Sequence, residues 1–224
     1  MDGLYFADNN CVLISRTSDS VINWLFVERE NTTTWTNFFK LHFQPQVVVI
    51  DGQRGLIKAV HDLWPDTNIQ RCLVHVQRLA LARLTINPKT LAGQQLRPLV
   101  LSLIHIRTRR QKRKWLGRYY GWRKRHEAFL KEKSVPTNPN TKRKWWYAHK
   151  KLRSVRSLLN KSIPNLFYYV SHPSVPRSTN HVESTNSSVK ELLRIHRGLP
   201  PNRQRKMIAL FLRSKTKKPT QNVT

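Results

Sequence analysis

Hydrophobic and polar residues in the first seventy positions of the chain fall into short, alternating blocks. Residues 4–7, 11–15 and 21–27 are rich in β-branched and aromatic side chains and are separated by turn formers such as Asp8, Asn9 and Asn10. This pattern predicts three consecutive antiparallel strands. Residues 32–42 place Trp35, Phe38, Phe39 and Leu41 at helical spacing behind a threonine cap. The largely apolar run 46–50, followed by Asp51 and Gly52, predicts a strand buried on both faces. A helix is expected over 54–63, closed by Trp64 and Pro65, and a further strand over 69–74. The order β-β-β-α-β-α-β implies an α/β domain with a mixed sheet and helices packed on it.

The texture changes after about residue 75. Leucines recur at helical spacing from 76 to 161, glycines are few, and Pro88 and Pro98 are expected at helix starts, with Pro136 and Pro139 in a loop. Residues 171–176 form a loop, a helix is expected over 179–195, and Gly198-Leu199-Pro200-Pro201 stops it. A last helix covers 203–212. The chain therefore divides into a first core segment, 1–75, and a basic all-α insertion, 76–170. The core's C-terminal helices follow over 171–213, and a basic tail, 214–224, is expected to be disordered.

Charge sharpens this division. The chain carries 41 Lys and Arg against 12 Asp and Glu, a formal net charge of +29. Such an excess repels itself unless a polyanion binds, so nucleic acid is the expected partner. Yet residues 1–70 hold only Arg16, Arg29, Lys40, Arg54 and Lys58 against eight acidic side chains. A slightly acidic first third suits chemistry, and the strongly basic remainder suits a phosphate backbone. Two cysteines cannot build a disulfide framework, no apolar run reaches membrane-spanning length, and Asp2 directly after Met1 argues against a signal peptide. A cytoplasmic, nucleoid-associated protein is expected.

Three acids stand out by context. Asp51 follows a strand and precedes a glycine, Asp2 opens the first strand with the same Asp-Gly pair, and Glu183 lies on the helix after the insertion. Carboxylates in such positions can hold the two divalent ions of phosphodiester chemistry. Each residue alone reads more readily as a turn or a solvated helix position, and it is the three together, in a chain with only 12 acidic residues, that favour the metal-binding reading.

Residues 47–59, Trp64-Pro65, and the stretch from Ile69 to Cys72 and His75 together resemble the core of Mutator-type bacterial insertion-sequence transposases, prokaryotic relatives of the eukaryotic Mutator-like elements. Ser178-Thr179-Asn180-His181-Val182-Glu183-Ser184-Thr185-Asn186 is similar to the family's block bearing its catalytic glutamate. Leu192-Leu193-Arg194-Ile195-His196-Arg197-Gly198 is similar to a pattern downstream of it in one branch. The resemblance implies an RNase H-like fold interrupted by an all-α insertion, with Asp2, Asp51 and Glu183 as catalytic, metal-binding triad and two Mg²⁺ (or Mn²⁺) ions as cofactor. It implies phosphodiester hydrolysis at transposon ends and attack of the freed 3′-hydroxyl on target DNA by a homo-oligomer. Because family members carry strand and DNA-binding residues before the first aspartate, it also implies N-terminal truncation. Two rival classes are a non-catalytic DNA-binding remnant and a plain RNase H-like nuclease; the basic insertion and the Cys-x-x-His block favour the transposase.

Cys72 and His75 have zinc-ligand spacing but no partner pair, so an active-site-shaping role is expected of them and of Asn180. Residues 107–156 interleave Lys and Arg with Trp115, Tyr119, Tyr120, Trp122, Trp145, Trp146 and Tyr147. Most of these aromatics are expected in the helical core. Double-stranded DNA is expected to contact Arg123, Lys124, Arg125, Lys142, Arg143, Lys144, Trp145, Trp146 and Arg197. His181 and His196 could move protons or meet phosphates, but ordinary surface roles suit them better.

Overall fold

The computed structural model describes residues 1–7, 10–137, 141, 142 and 144–216. The tail expected to be disordered falls, beyond residue 216, outside the described residues, as do Asp8, Asn9, Pro139 and Arg143. The chain is mixed α/β and divides into two compact units: Met1–Ile69 with Ser178–Thr224, and Gln70–Arg177.

In the first unit, β1 (Asp2–Tyr5), β2 (Cys11–Arg16) and β3 (Val21–Val27) form an antiparallel meander in that order. Helix α1 (Thr32–Phe39), strand β4 (Val47–Ile50), helix α2 (Arg54–Leu63) and strand β5 (Asn68–Arg71) follow. β4 and β5 make a separate two-stranded sheet. The amino terminus donates to the Val49 carbonyl at 3.0 Å, which sets the start of β1 beside β4. Asn31, not a threonine, caps α1: its side chain accepts from the Thr34 amide while Thr34 Oγ1 accepts from the Asn31 amide.

The centre of the unit is β2. Because successive strand side chains point to opposite faces, Cys11 and Leu13 enter one core with Trp35, Phe38, Phe39, Ile50, Leu56, Val60 and Trp64. Val12 and Ile14 enter a second core with Leu4, Val21, Val182, Val189, Ile208 and Leu212. Helices α1 and α2 thus cover one face, while α8 (Asn180–Ile195) and α9 (Pro201–Ser214) cover the other. The strand expected to be buried on both faces was β4. It instead buries Val48 and Ile50 and leaves Val47 and Val49 half-buried, since only one of its faces meets a core.

The second unit holds α3 (Leu73–Arg83), α4 (Leu91–Ser102), α5 (Arg109–Arg125), α6 (Glu127–Lys131) and α7 (Lys150–Ser162). It is not all-α: β6 (Lys133–Ser134) and β7 (Trp146–Tyr147) form a small antiparallel pair. The expected strand over 69–74 ends at Arg71, because Cys72 caps α3 through a bond from the His75 amide to its sulfur. Pro98 lies inside α4 rather than at its start, which is capped by Thr90. On α5, Trp115, Tyr119 and Trp122 fall on one face, stack near-parallel and are buried. Each polar atom has a partner: Trp115 Nε1 donates to Leu99 O, Trp122 Nε1 to Ala92 O, and the Tyr119 hydroxyl to Asn160 Oδ1.

Candidate functional site

Asp51 leaves β4 in a turn that its own side chain builds. Oδ1 accepts from the Gln53 amide at 2.9 Å, and Gly52 between them has φ 96°, a conformation that favours glycine. Gln53 then caps α2, accepting from the Leu56 amide at 2.8 Å. Asp2 opens β1; its Oδ1 accepts from the Gly3 amide and its Oδ2 from Asn186 Nδ2 at 2.7 Å. Both aspartates are half-buried.

Between these two segments of chain the structure brings in a carboxyl that the sequence reading did not single out. Glu30, in the connection from β3 to α1, is half-buried, and its Oε1 accepts from the indole of Trp35 at 3.1 Å. Burial, then the charge of Asp51, then that of Asp2, push its pKa up to about 7 against the opposing effect of the indole bond. Glu30 therefore feels the negative charge of both aspartates. By contrast, the Cys11 thiol is pushed up to about 12, mainly by burial, and is chemically inert at neutral pH.

Helix α8 supplies the remaining acid. Glu183 sits in its first turn, half-buried, where the helix dipole favours a carboxylate, and Thr179 Oγ1 donates to its Oε1 at 2.8 Å. Asn186 lies one turn further along and is only 6% exposed, so its bond to Asp2 ties α8 to β1. Arg16 adds a second tie, donating to Thr185 Oγ1 and His181 O. Asn180 and His181 are exposed on the first turn, and His196 and Arg197 are exposed beyond the last.

A family model described as Transposase, Mutator family, matches residues 17–131. The chain belongs to the Mutator family of transposases. No curated protein matches it. The matched residues include Glu30, Asp51, Cys72 and His75, while Asp2 and Glu183 lie outside them. Transposases of this family cleave and transfer DNA, so DNA binding follows for the transposase as a class. Among the described residues no helix is long and apolar enough to cross a membrane.

The second unit of the transposase presents a basic surface centred on α5. Away from its buried aromatic face, Arg109, Arg110, Arg113 and Lys114 are exposed, as is Arg118 at the edge of that face, followed by Lys124 and Arg125, with Arg123 partly covered. The first five were not singled out from sequence; the signal available was the four-residue spacing of Arg110, Lys114 and Arg118, a basic stripe running beside that of Trp115, Tyr119 and Trp122. Lys142 and Lys144 are exposed in a loop, and Arg143 lies outside the described residues. Trp145 and Trp146 are not helical. Trp145 is 42% exposed beneath Lys133 Nζ, 4.1 Å from its ring centre, and Trp146 belongs to β7 with Lys150 at 5.4 Å. Cys72 and His75 stand at the start of α3, where Cys72 is fully buried and serves as a helix cap.

Proposed function

We propose that this chain is the catalytic region of a DNA transposase with an RNase H-like arrangement, in which Asp2, Asp51 and Glu183 hold two Mg²⁺ or Mn²⁺ ions. The observation that carries the reading is the bond from the Met1 amino group to the Val49 carbonyl, which sets the start of β1, with Asp2, beside the strand that ends before Asp51, 49 positions later in sequence, with α8 tied to the same end of β1. The order of elements supports the fold: a meander, then two strands each reached through a helix, covered on both faces.

The donor set fits such ions. It is all oxygen, as hard divalent cations require. It also includes a buried oxygen, Asn186 Oδ1, that has no hydrogen-bond partner among the described residues. When bound, the ions would supply activation of the attacking oxygen and stabilisation of the leaving one. The protein's own contribution is placement. The Gly52 turn aims Asp51, the Asn186 amide fixes Asp2, and the first turn of α8 carries Glu183, which accepts from Thr179 Oγ1. The α5 face of the second unit supplies phosphate contacts along a helix about 25 Å long.

Nicking of supercoiled plasmid by the purified chain, with Mg²⁺ or Mn²⁺ and with EDTA, tests this. Metal-dependent nicking that disappears in Asp51→Asn is the expected result, because the amide keeps the shape but loses the charge. Nicking that survives Asp51→Asn would defeat the assignment, and DNA binding without any nicking would favour a non-catalytic DNA-binding role.

A further inference from the structure

We propose that a recess between α5 and α7 is a phosphate seat, in which the guanidinium groups of Arg123 and Arg156 grip a phosphate group of a DNA strand. The proposal rests on the DNA-binding part of the reading above and adds a site that none of Arg110, Lys114 and Arg118 lines.

A buried residue sets the walls. Tyr119 of α5 is fully buried, and its hydroxyl lies 2.8 Å from Asn160 Oδ1 and 3.2 Å from the Arg156 carbonyl, which holds this part of α5 against α7. Beside it a recess of about 280 Å³ opens to solvent, lined by Tyr120, Arg123, Lys124, Glu127 and Arg156.

Two of these residues lack an anchor that comparable side chains have. In the same unit the half-buried arginines Arg83, Arg153 and Arg177 donate to the backbone carbonyls of Ser154, Leu130 and Ile104. Arg123 and Arg156 are also half-buried, yet neither guanidinium donates a hydrogen bond to a group among the described residues. Arg123 lies over the Tyr120 ring, 5.6 Å from its centre. A guanidinium drawn partly out of water still requires acceptors for its N–H groups.

The protein does not supply them from the recess itself. Glu127, the acid among the lining residues, has Lys131 Nζ 2.7 Å from its Oε1. That bond, ahead of the charges of Arg156 and Arg123, lowers its pKa. With Glu127 offset by Lys131, the positive charges of Arg123, Lys124 and Arg156 have no matching acid among the lining residues. Two forked donors from different helices suit an anion with several acceptor oxygens, and phosphate is such an anion. Tyr120, 46% exposed, brings a hydroxyl to the same wall. In a family that cleaves and transfers DNA, phosphate arrives on a strand, either as an internal diester or as the terminal monoester of a cut end.

Arg156→Ala tests the seat in the full chain. Duplexes of one sequence, with 5′-phosphate or with 5′-hydroxyl ends, are titrated by fluorescence anisotropy over a range of salt. Losing one phosphate contact should weaken binding about 10-fold and lower the log–log salt slope by about 1. A loss confined to the phosphorylated duplex assigns the seat to a terminal monoester, and an equal loss on both assigns it to an internal diester. Wild-type affinity and slope on both duplexes overturn the seat and leave the transposase reading standing. Weaker binding with an unchanged slope does the same, because a structural defect removes no counterion release. A wild-type chain that binds neither duplex overturns the DNA-binding reading and the seat with it. Should Arg156→Ala lose cooperative unfolding, Arg156→Lys keeps the charge but not the forked donor pair. Several-fold weaker binding then supports the proposal, and wild-type binding overturns it.

Discussion

Replacing Asn186 by alanine removes a side-chain hydrogen bond that joins α8 to the start of β1. The bond is short, 2.7 Å, runs to an aspartate oxygen, and comes from a residue 6% exposed. Hydrogen bonds to charged groups contribute about 1.5–3 kcal/mol. Two effects reduce that figure here: Asp2 is only half-buried and regains some water, and the substitution also removes the unpartnered Oδ1. The expected cost is thus roughly 1–2 kcal/mol. Alanine raises helix propensity, so the bond itself is best isolated by a double-mutant cycle with Asp2→Asn. A single melting curve would mix the two units, whereas hydrogen exchange of the β1 amides reads the first unit alone. Their protection should fall about 5- to 30-fold in Asn186→Ala. The cycle should show a coupling of about 1–2 kcal/mol, and a coupling below about 0.5 kcal/mol, the scatter of independent sites, would refute the reasoning. DNA affinity should be unchanged, because the basic face of α5 is remote in sequence and sits in the other unit.

Three further outcomes are expected. Gly52→Ala forces an L residue into φ 96° and should destabilise the first unit by about 1–3 kcal/mol, read as lost protection of the β4 and α2 amides. His42 donates through Nδ1 to Phe38 O and accepts at Nε2 from Ser15, a neutral arrangement in which burial lowers its pKa. The folded form then binds fewer protons than the unfolded one, so stability should be complete above about pH 6.5 and decline as pH falls below it. His42→Gln should flatten that decline in urea titrations from pH 5 to 8, and an unaltered slope would exclude His42 as its source. Changing Arg110, Lys114 and Arg118 together to alanine should reduce the log–log salt slope of DNA binding by roughly 2 to 3. An unchanged slope would place the phosphate contacts elsewhere.

Local order was legible in the sequence because it depends on dihedral preference and periodicity. The strand over 21–27 and the helix over 54–63 are where their residue patterns put them, and the succession of meander, helix, strand, helix and strand is the one observed. The charge divide was equally legible, since composition needs no fold, and so was the membership of Asp51 in a turn, which Asp-Gly encodes locally. Contacts decided the rest. That β2 rather than β4 is the strand buried on both faces follows from α8 and α9 returning more than 160 residues later to cover its second side. The pairing of β6 with β7 escapes pattern reading because two-residue strands carry no period. Glu30 looks in sequence like one of two glutamates flanking Arg29 in a surface turn. It becomes a constrained carboxyl only when β1 and the Asp51 turn close around it, because burial and repulsion between like charges arise from tertiary proximity that no local pattern records.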